Sequence, residues 1–131
     1  MEIIYDSFYG HLNASLSGYS GRIFREQAST DIDGPYIVFN IISNVPQFFH
    51  GRVGDYMDLR MQIDVFDTIH SRSGRAINDL IYNAINKTSF TCSGFSDIMI
   101  HCINRGCNLN YTDIDYEKIT SEYILQTTKA S

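Results

Sequence analysis

The side chains that could do acid–base or nucleophilic chemistry are scattered along this chain of 131 residues. Its histidines are His11, His50, His70 and His101. A catalytic base must reach an activated group and is usually oriented by a third residue, yet no histidine here falls in a recognised motif with Ser, Cys or Asp. The G-x-S-x-G, H-E-x-x-H, Walker and dinucleotide-binding patterns are also absent from the sequence. We therefore predict that the protein is not an enzyme and has no catalytic residues.

A metal site would have to be built from Cys92, His101, Cys102 and Cys107. Zinc sites usually contain ligands paired two to four residues apart, whereas these spacings are irregular. His101 and Cys102 would also face opposite sides of a strand. An odd number of cysteines favours free thiols in a reducing compartment over a disulfide framework. The sequence therefore predicts three free cysteines, no metal and no cofactor.

One acidic segment begins like a calcium-binding loop. Asp31 and Asp33 precede Gly34, but the later acidic or amide ligands and the glutamate at the twelfth position are missing. We interpret this segment as a turn that leads into Pro35.

Composition excludes several classes of protein. A formal charge of −5, with only ten Lys and Arg, argues against binding nucleic acid through its phosphates. No apolar run is long enough to span a membrane, and the acidic N-terminus does not resemble a secretory signal, so we expect synthesis and use in a cytoplasm. A hydrophobic fraction of 44% supports a packed core in a single domain, residues 1–131. Nine tyrosines and eight phenylalanines without tryptophan favour sheet and assembly.

The N-terminal half predicts one helix and two strands. Residues 2–16 carry an amphipathic stripe, formed by Tyr5, Phe8, Tyr9, Leu12 and Leu16, with Gly18 as its C-cap. Residues 22–24 form a short strand or an extended connector. The apolar run 36–42 predicts a strand that Pro46 closes. The segment 48–55, which contains Gly51 and Gly54, predicts a loop or hairpin with some mobility.

The C-terminal half begins with the clearest strand, residues 56–66, in which apolar and polar residues alternate. One face is formed by Met57, Leu59, Met61, Ile63 and Val65, and the other by Tyr56, Asp58, Arg60, Gln62 and Asp64. A helix over 70–88 follows, with Thr68 and Ser71 as candidate caps. Its apolar face consists of Ile77, Leu80, Ile81, Ala84 and Ile85. Residues 98–103 predict a strand, 104–106 a turn, 107–115 a loop, and 117–127 a last strand.

These elements predict an α+β fold, with a roughly four-stranded, mostly antiparallel sheet and both helices packed on one face. Within it, Phe48 and Phe49 are either a core anchor or a patch that contacts a partner. Arg52 and Asp55, which flank Gly54, are our further candidates for contacts between subunits.

Four segments in this order resemble a known family. A helix runs into Gly21-Arg22-Ile23-Phe24, and Gly34-Pro35-Tyr36-Ile37-Val38-Phe39 follows it. After a loop come Leu59-Arg60-Met61-Gln62-Ile63-Asp64-Val65-Phe66 and then a helix with Arg75-Ala76-Ile77-Asn78-Asp79-Leu80. The chain is similar, over about residues 3–90, to the small tail-completion proteins of long-tailed phages and prophages, a family related in fold to the phage lambda tail terminator. No individual residue beyond Phe90 can be matched.

The resemblance implies a structural virion protein assembled in the host cytoplasm. It would be a subunit of a homohexameric ring on the head-proximal end of the tail tube. Such a ring stops polymerisation of the tube and binds the head–tail connector, and DNA passes through it without specific binding. Two alternatives stay open: another neck component, such as a head-completion or adaptor protein, and an unrelated small cytoplasmic ligand-binding module.

Overall fold

The structure, a computed structural model, describes residues 2–19, 21–25, 35–49, 52–68, 74–94, 97–111 and 116–128. Side chains are described for these residues except at positions 2, 43–49, 52–57, 68, 106–111, 116–117 and 128. The elements in chain order are α1 Glu2–Ser15, a 3-10 turn Ser17–Tyr19, β1 Ile23–Arg25, β2 Tyr36–Phe49, β3 Arg52–Thr68, α2 Gly74–Ile85, β4 Ser89–Phe90, β5 Ile98–Tyr111 and β6 Tyr116–Thr128.

Six strands of the described chain form one curled sheet in the order β1-β2-β3-β6-β5-β4. β1 is parallel to β2, and every other neighbouring pair is antiparallel. The four long strands are those that the sequence predicts. Residues 22–24, predicted as a short strand or an extended connector, contribute to the edge strand β1. The other edge strand, β4, was not predicted, because two residues are too short to produce an alternating pattern.

Both helices share one hydrophobic core with the inner face of the sheet. Phe8 of α1 packs edge-on against Phe39 of β2 and Phe90 of β4, at centroid distances of 5.3 and 5.7 Å. α1 therefore lies between the two edges of the curled sheet, whereas α2 contacts β3, β6 and β5.

The alternation predicted for the central strands is confirmed wherever side chains are described. The inner residues of β3 and β6 are buried, namely Leu59, Met61, Ile63, Val65, Ile119, Ser121, Tyr123 and Leu125. Asp64 departs from the pattern, since it lies on the outer face and is only 8% exposed. The side chain of Met57 lies outside the described part.

The predicted face of α2 needs one correction. Leu80 is 45% exposed, and Asn78 is buried in the core instead. The side-chain oxygen of Asn78 accepts a 2.7 Å hydrogen bond from the hydroxyl of Ser121, which allows this polar side chain to be buried. The buried face of α2 is therefore rotated towards a polar residue, which a search for apolar residues at helical spacing does not detect. The predicted cap at Thr68 is wrong, because Thr68 is the last residue of β3, and Ser71 lies outside the described residues.

The stripe of α1 is shifted in the same way. Ile4 is buried, whereas Tyr9 is 36% exposed and its ring lies beside that of Phe39, at a centroid distance of 6.3 Å. Gly18 belongs to the 3-10 turn rather than capping the helix. The glycine with a left-handed backbone in this region is Gly21, two residues after the turn, at φ 83°.

β2 runs through Pro46, where the sequence predicts the end of the strand. The amides of Ile37 and Ile41 donate away from β3, to Arg22 and Tyr5. Before this point, the backbone groups of odd-numbered residues point away from β3. An extra residue between Ile41 and Ser43 reverses the order, so beyond it the backbone groups of even-numbered residues, including Pro46, point away from β3. Proline costs no ladder hydrogen bond at an outward position of an edge strand, and the strand continues.

β5 also runs further than predicted, through the expected turn at 104–106 and most of the expected loop at 107–115. Two register shifts against β6 lie between Cys102 and Asn104 and between Asn104 and Cys107. Gly106 therefore belongs to an irregularity within a strand, which produces the same local sequence signal as a turn.

Candidate interaction surfaces

The four predicted contact residues lie around one hairpin. Phe48 and Phe49 are the last residues of β2, while Arg52 and Asp55 are near the start of β3. Phe49 is opposite Arg52, and Phe48 is opposite Val53. The predicted loop or hairpin is therefore a hairpin, and it brings these residues together at one end of the sheet. Their side-chain surroundings lie outside the described part of the structure.

The outer face of the sheet carries a row of aromatic rings across three strands. Tyr36 and Phe66 are opposite each other and stack at 4.9 Å with an interplanar angle of 15°. Phe24 of β1 meets Tyr36 edge-on at 6.4 Å, and the ammonium of Lys118 lies 5.7 Å from the centroid of Phe66. These ring contacts join β1, β2 and β3 and stabilise this end of the sheet.

Asp64 sits beside this row as the acceptor of a polar cluster. It receives hydrogen bonds from the Gln62 amide at 3.0 and 3.2 Å and from the Thr120 hydroxyl at 2.7 Å. The Lys118 ammonium lies 3.8 Å from its Oδ2. These partners explain how a carboxylate can be nearly buried on the sheet face that no described helix covers.

Apolar side chains are also exposed on both layers of the molecule. Large exposed hydrophobic residues of the helices are Ile3, Tyr9 and Leu80, and those of the strands are Ile42, Met99 and Ile103. They belong to α1, α2, β2 and β5, and exposed hydrophobic residues are normal on a protein surface.

His11 is the histidine with the best-defined environment. Its ring stacks on Phe90 at 5.6 Å, and its Nε2 is 3.2 Å from the hydroxyl of Thr88. Thr88 donates its own hydrogen to the carbonyl of Ile85 at 2.6 Å, so His11 must be the donor and is the Nε2–H tautomer. Burial lowers the pKa of His11. This histidine links α1 to the segment after α2, and the threonine hydroxyl that it contacts is itself hydrogen-bonded to the backbone.

The remaining chemistry-bearing residues are also separate. Cys92 is buried with its thiol 3.7 Å from the carbonyl of Ile3, and burial raises the pKa of the half-buried Cys102 thiol. His101 pairs with Ile124 and Cys102 with Tyr123, on opposite sheet faces as expected. Within the described ranges, His, Cys, Asp and Glu form no group that could hold a metal ion. His50, His70, Asp31 and Asp33 and the Cys107 side chain lie outside those ranges.

An ion pair fastens α2 to the irregular part of β5. The guanidinium of Arg105 donates to Asp79 at 2.8 Å and lies over the ring of Tyr82, 4.0 Å from its centroid. Below it, the hydroxyl of Tyr123 is buried without a hydrogen-bond partner among the described residues, and burial raises its pKa. The pair is half-exposed, so its role is to position β5 more than to stabilise the fold.

On each edge of the sheet, a side-chain oxygen accepts a hydrogen bond from a backbone amide just before the strand becomes irregular. On the β2 edge, the Tyr5 hydroxyl accepts from the amide of Ile41, the last residue before the irregularity. On the β5 edge, the Asn86 side chain accepts from the amide of Cys102 at 2.8 Å, again just before a register shift. Beyond each side-chain cap, no described strand lies beside the outer edge.

Comparisons with known proteins find relatives in structure only. No protein-family model and no curated protein sequence matches the chain. A chain from the virion of a native gene transfer agent particle has a TM-score of 0.77 at 10% identity, over 94% of this chain and 92% of that one. A second solved structure, whose name states no function, has a TM-score of 0.63 at 14% identity, over 95% and 94%. At these identities the likeness shows a shared fold.

No helix in the described ranges is long and apolar enough to cross a membrane. The alternation of β3 places Asp64 on the outer face correctly but does not predict the polar cluster around it. An acid that follows a glutamine two positions earlier on a strand was the available signal, since such residues lie side by side on one face.

Proposed function

We propose that this chain is a structural subunit of a phage-like virion, specifically a tail-completion protein that caps the head-proximal end of the tail tube. The observation that carries the proposal is the fold that the chain shares, over nearly its whole length, with a chain of a gene transfer agent virion particle. The sequence resemblance to tail-completion proteins supports the finer role. Its segments fall on β1, β2, β3 and α2, which are consecutive elements of the fold.

The chain acts as an assembly unit, not as an enzyme, and needs no cofactor. Its best-placed chemical groups are used within the fold, His11 with Thr88 and Asp64 with Lys118. An assembly role requires stable surfaces and no activated group, which fits this use of the polar side chains.

Six copies form a ring around the channel through which DNA passes. At −5 for each chain, such a ring carries a formal charge of about −30, so it repels the phosphates and leaves DNA free to slide. The β2–β3 hairpin, with Phe48, Phe49, Arg52 and Asp55, contacts the tail tube or a neighbouring subunit. The ring belongs to the neck of the virion and is assembled in the host cytoplasm.

A second neck role, that of a head-completion or adaptor protein, is the alternative, because the likeness to a virion chain fits both roles. Binding distinguishes them. The purified protein is mixed separately with isolated tail tubes and with heads carrying their connector, and bound protein is measured after sedimentation. A tail-completion protein binds tubes lacking heads, whereas an adaptor binds only heads.

The hairpin is tested with a deletion of residues 50–55. We expect this variant to keep the circular dichroism and melting temperature of the domain but to lose tube binding. The matched control shortens the β5–β6 hairpin at 112–115 and should still bind tubes. Equal tube binding by both variants would remove the β2–β3 hairpin from the proposal.

A further inference from the structure

At each edge of the sheet, a short strand covers only part of the long strand beside it, which leaves a step in the edge. The two short strands lie at opposite ends of the sheet, measured along the strand direction. β1 covers only Ile37–Phe39 of β2, and β4 covers only Ile98 and Met99 of β5. The registers place Ile23 of β1 in one row with Ile37, Val65, Ile119 and Asn108, so Asn108 is level with β1 although it lies on the other edge. β4 lies at the far end, in the row of Met99 and Gln126.

The uncovered part of β5 presents regular backbone donors and acceptors. The amide of Ile100 donates outward, to Thr88, so its opposite residue on β6, Leu125, faces β3. The backbone amides and carbonyls of even-numbered β6 residues therefore face β5. The residues opposite Thr120 and Lys118, which are Cys107 and Leu109, direct their own backbone groups towards β6. It follows that the amides and carbonyls of Asn108 and Asn110 point outward, where no described strand lies.

The uncovered part of β2 is different because Pro46 occupies an outward position there. Proline removes a donor from an exposed edge and so discourages the addition of a strand. Residues 104–111 of β5 contain no proline. The two bare edges are therefore unequal, and β5 is the one suited to accept a strand.

Strand directions indicate what that strand would be in a ring. β1 runs parallel to β2, antiparallel to β3, and hence opposite in direction to β5. A rotation about an axis along the strands preserves these directions, so β5 of one copy meets β1 of the next in antiparallel orientation. β4 of the first copy and β1 of the second then both lie beside the outer edge of the same β5. They pair with different parts of it, β4 with Ile98 and Met99 and β1 with the part around Asn108, so they do not overlap.

Building on the proposed ring, we propose that the outer edge of β5, centred on Asn108 and Asn110, is the docking site for β1 of a second copy of this chain. The contact is heterologous, since each copy offers a different edge to each neighbour, and such contacts close into rings when the rotation permits. Main-chain hydrogen bonds provide the affinity in strand addition, so the site does not depend on particular side chains.

The test compares Asn108→Pro with Asn108→Ala in the full chain. Proline removes one outward donor and leaves the β6 ladder intact, as Pro46 does on β2, whereas alanine changes only the side chain. Mass is measured by light scattering, and folding by circular dichroism. We expect Asn108→Pro to stay folded and to weaken self-association by about tenfold or more, with Asn108→Ala assembling as the wild type does.

Amide hydrogen exchange in the wild type provides a second measurement that no folding defect can obscure. Assembly should slow exchange at Asn108 and Asn110 relative to the diluted monomer. Unchanged exchange there, or a folded Asn108→Pro protein that forms the same ring, would overturn the docking site while leaving the ring in place. A dimer joined through two β5 edges would overturn the choice of β1. A wild type that stays monomeric even on tail tubes would overturn the proposed ring itself.

Discussion

The hydroxyl of Tyr5 accepts a 2.9 Å hydrogen bond from the backbone amide of Ile41 and donates one of 3.1 Å to the side chain of Asn40. A helix side chain thereby takes the place of the strand that would otherwise continue beside β2. The guanidinium of Arg25, the last residue of β1, lies over the Tyr5 ring at 3.9 Å. This contact fixes where the β1–β2 ladder stops, and so defines one step of the sheet edge.

Removing that hydroxyl should destabilise the domain. Tyr5→Phe leaves the Ile41 amide and Asn40 without this partner, at a cost of about 1–2 kcal/mol in the free energy of unfolding, measured in urea. Tyr123→Phe is the matched control, because its hydroxyl is buried without a partner among the described residues. We expect the control to be neutral or stabilising. Equal losses in both variants would contradict the role assigned to the Tyr5 hydroxyl.

The inner face of β3 should not accept a charge. Ile63 is fully buried, so Ile63→Asp would bury an unpaired carboxylate. We expect this to lower the free energy of unfolding by about 4 kcal/mol or more, enough to prevent folding. Arg60→Asp, on the exposed face of the same strand, should remain folded. Far-ultraviolet circular dichroism and thermal melting report both variants. Cooperative melting of Ile63→Asp near the wild-type temperature would show that the inner face is assigned wrongly.

The polar cluster on the outer face should be sensitive to the charge of Asp64. In Asp64→Asn the carboxylate that accepts from Gln62 and Thr120 and pairs with Lys118 is replaced by an amide. We expect a loss of about 1–3 kcal/mol in the free energy of unfolding. Asp97→Asn, at an exposed position before β5, should change it little. If the cluster does not stabilise the fold, both variants will show the same small change in the free energy of unfolding.

Stability should fall in mild acid, in part through His11. Burial lowers the pKa of His11 below its usual 6.5, so the unfolded chain binds more protons than the folded one as the pH drops below that value. This contribution is fully present above the unfolded pKa and is lost as the pH falls towards the folded pKa. His11→Gln should therefore reduce the difference in unfolding free energy between neutral and mildly acidic pH. An unchanged difference would mean that His11 does not contribute.

The sequence predicted the long elements because their burial follows simple periods. The alternation of β3 and the stripe of α2 both reflect packing against one core, although the stripe of α2 is rotated from Leu80 towards Asn78. Asn78 could not be identified as a core residue, since its burial depends on Ser121, a hydrogen-bond partner far away in the chain.

The extent of β2 and β5 could not be predicted for a different reason. Proline at position 46 and glycine at position 106 normally interrupt a strand, and their effect depends on whether the affected amide faces a neighbouring strand. That direction is a property of the register, which the interrupted residues themselves do not encode. The role of Phe48, Phe49, Arg52 and Asp55 in contacts between subunits stays a prediction.

The proposed role in tail completion is tested most directly by the length of tail tubes. Purified tube protein is polymerised from tail tips with and without this protein, and tube lengths are measured in negative-stain images. The account predicts that tubes stop at a uniform length and carry a ring at the end away from the tip. Tubes that continue to grow in the presence of the protein, with no added density at their ends, would contradict it.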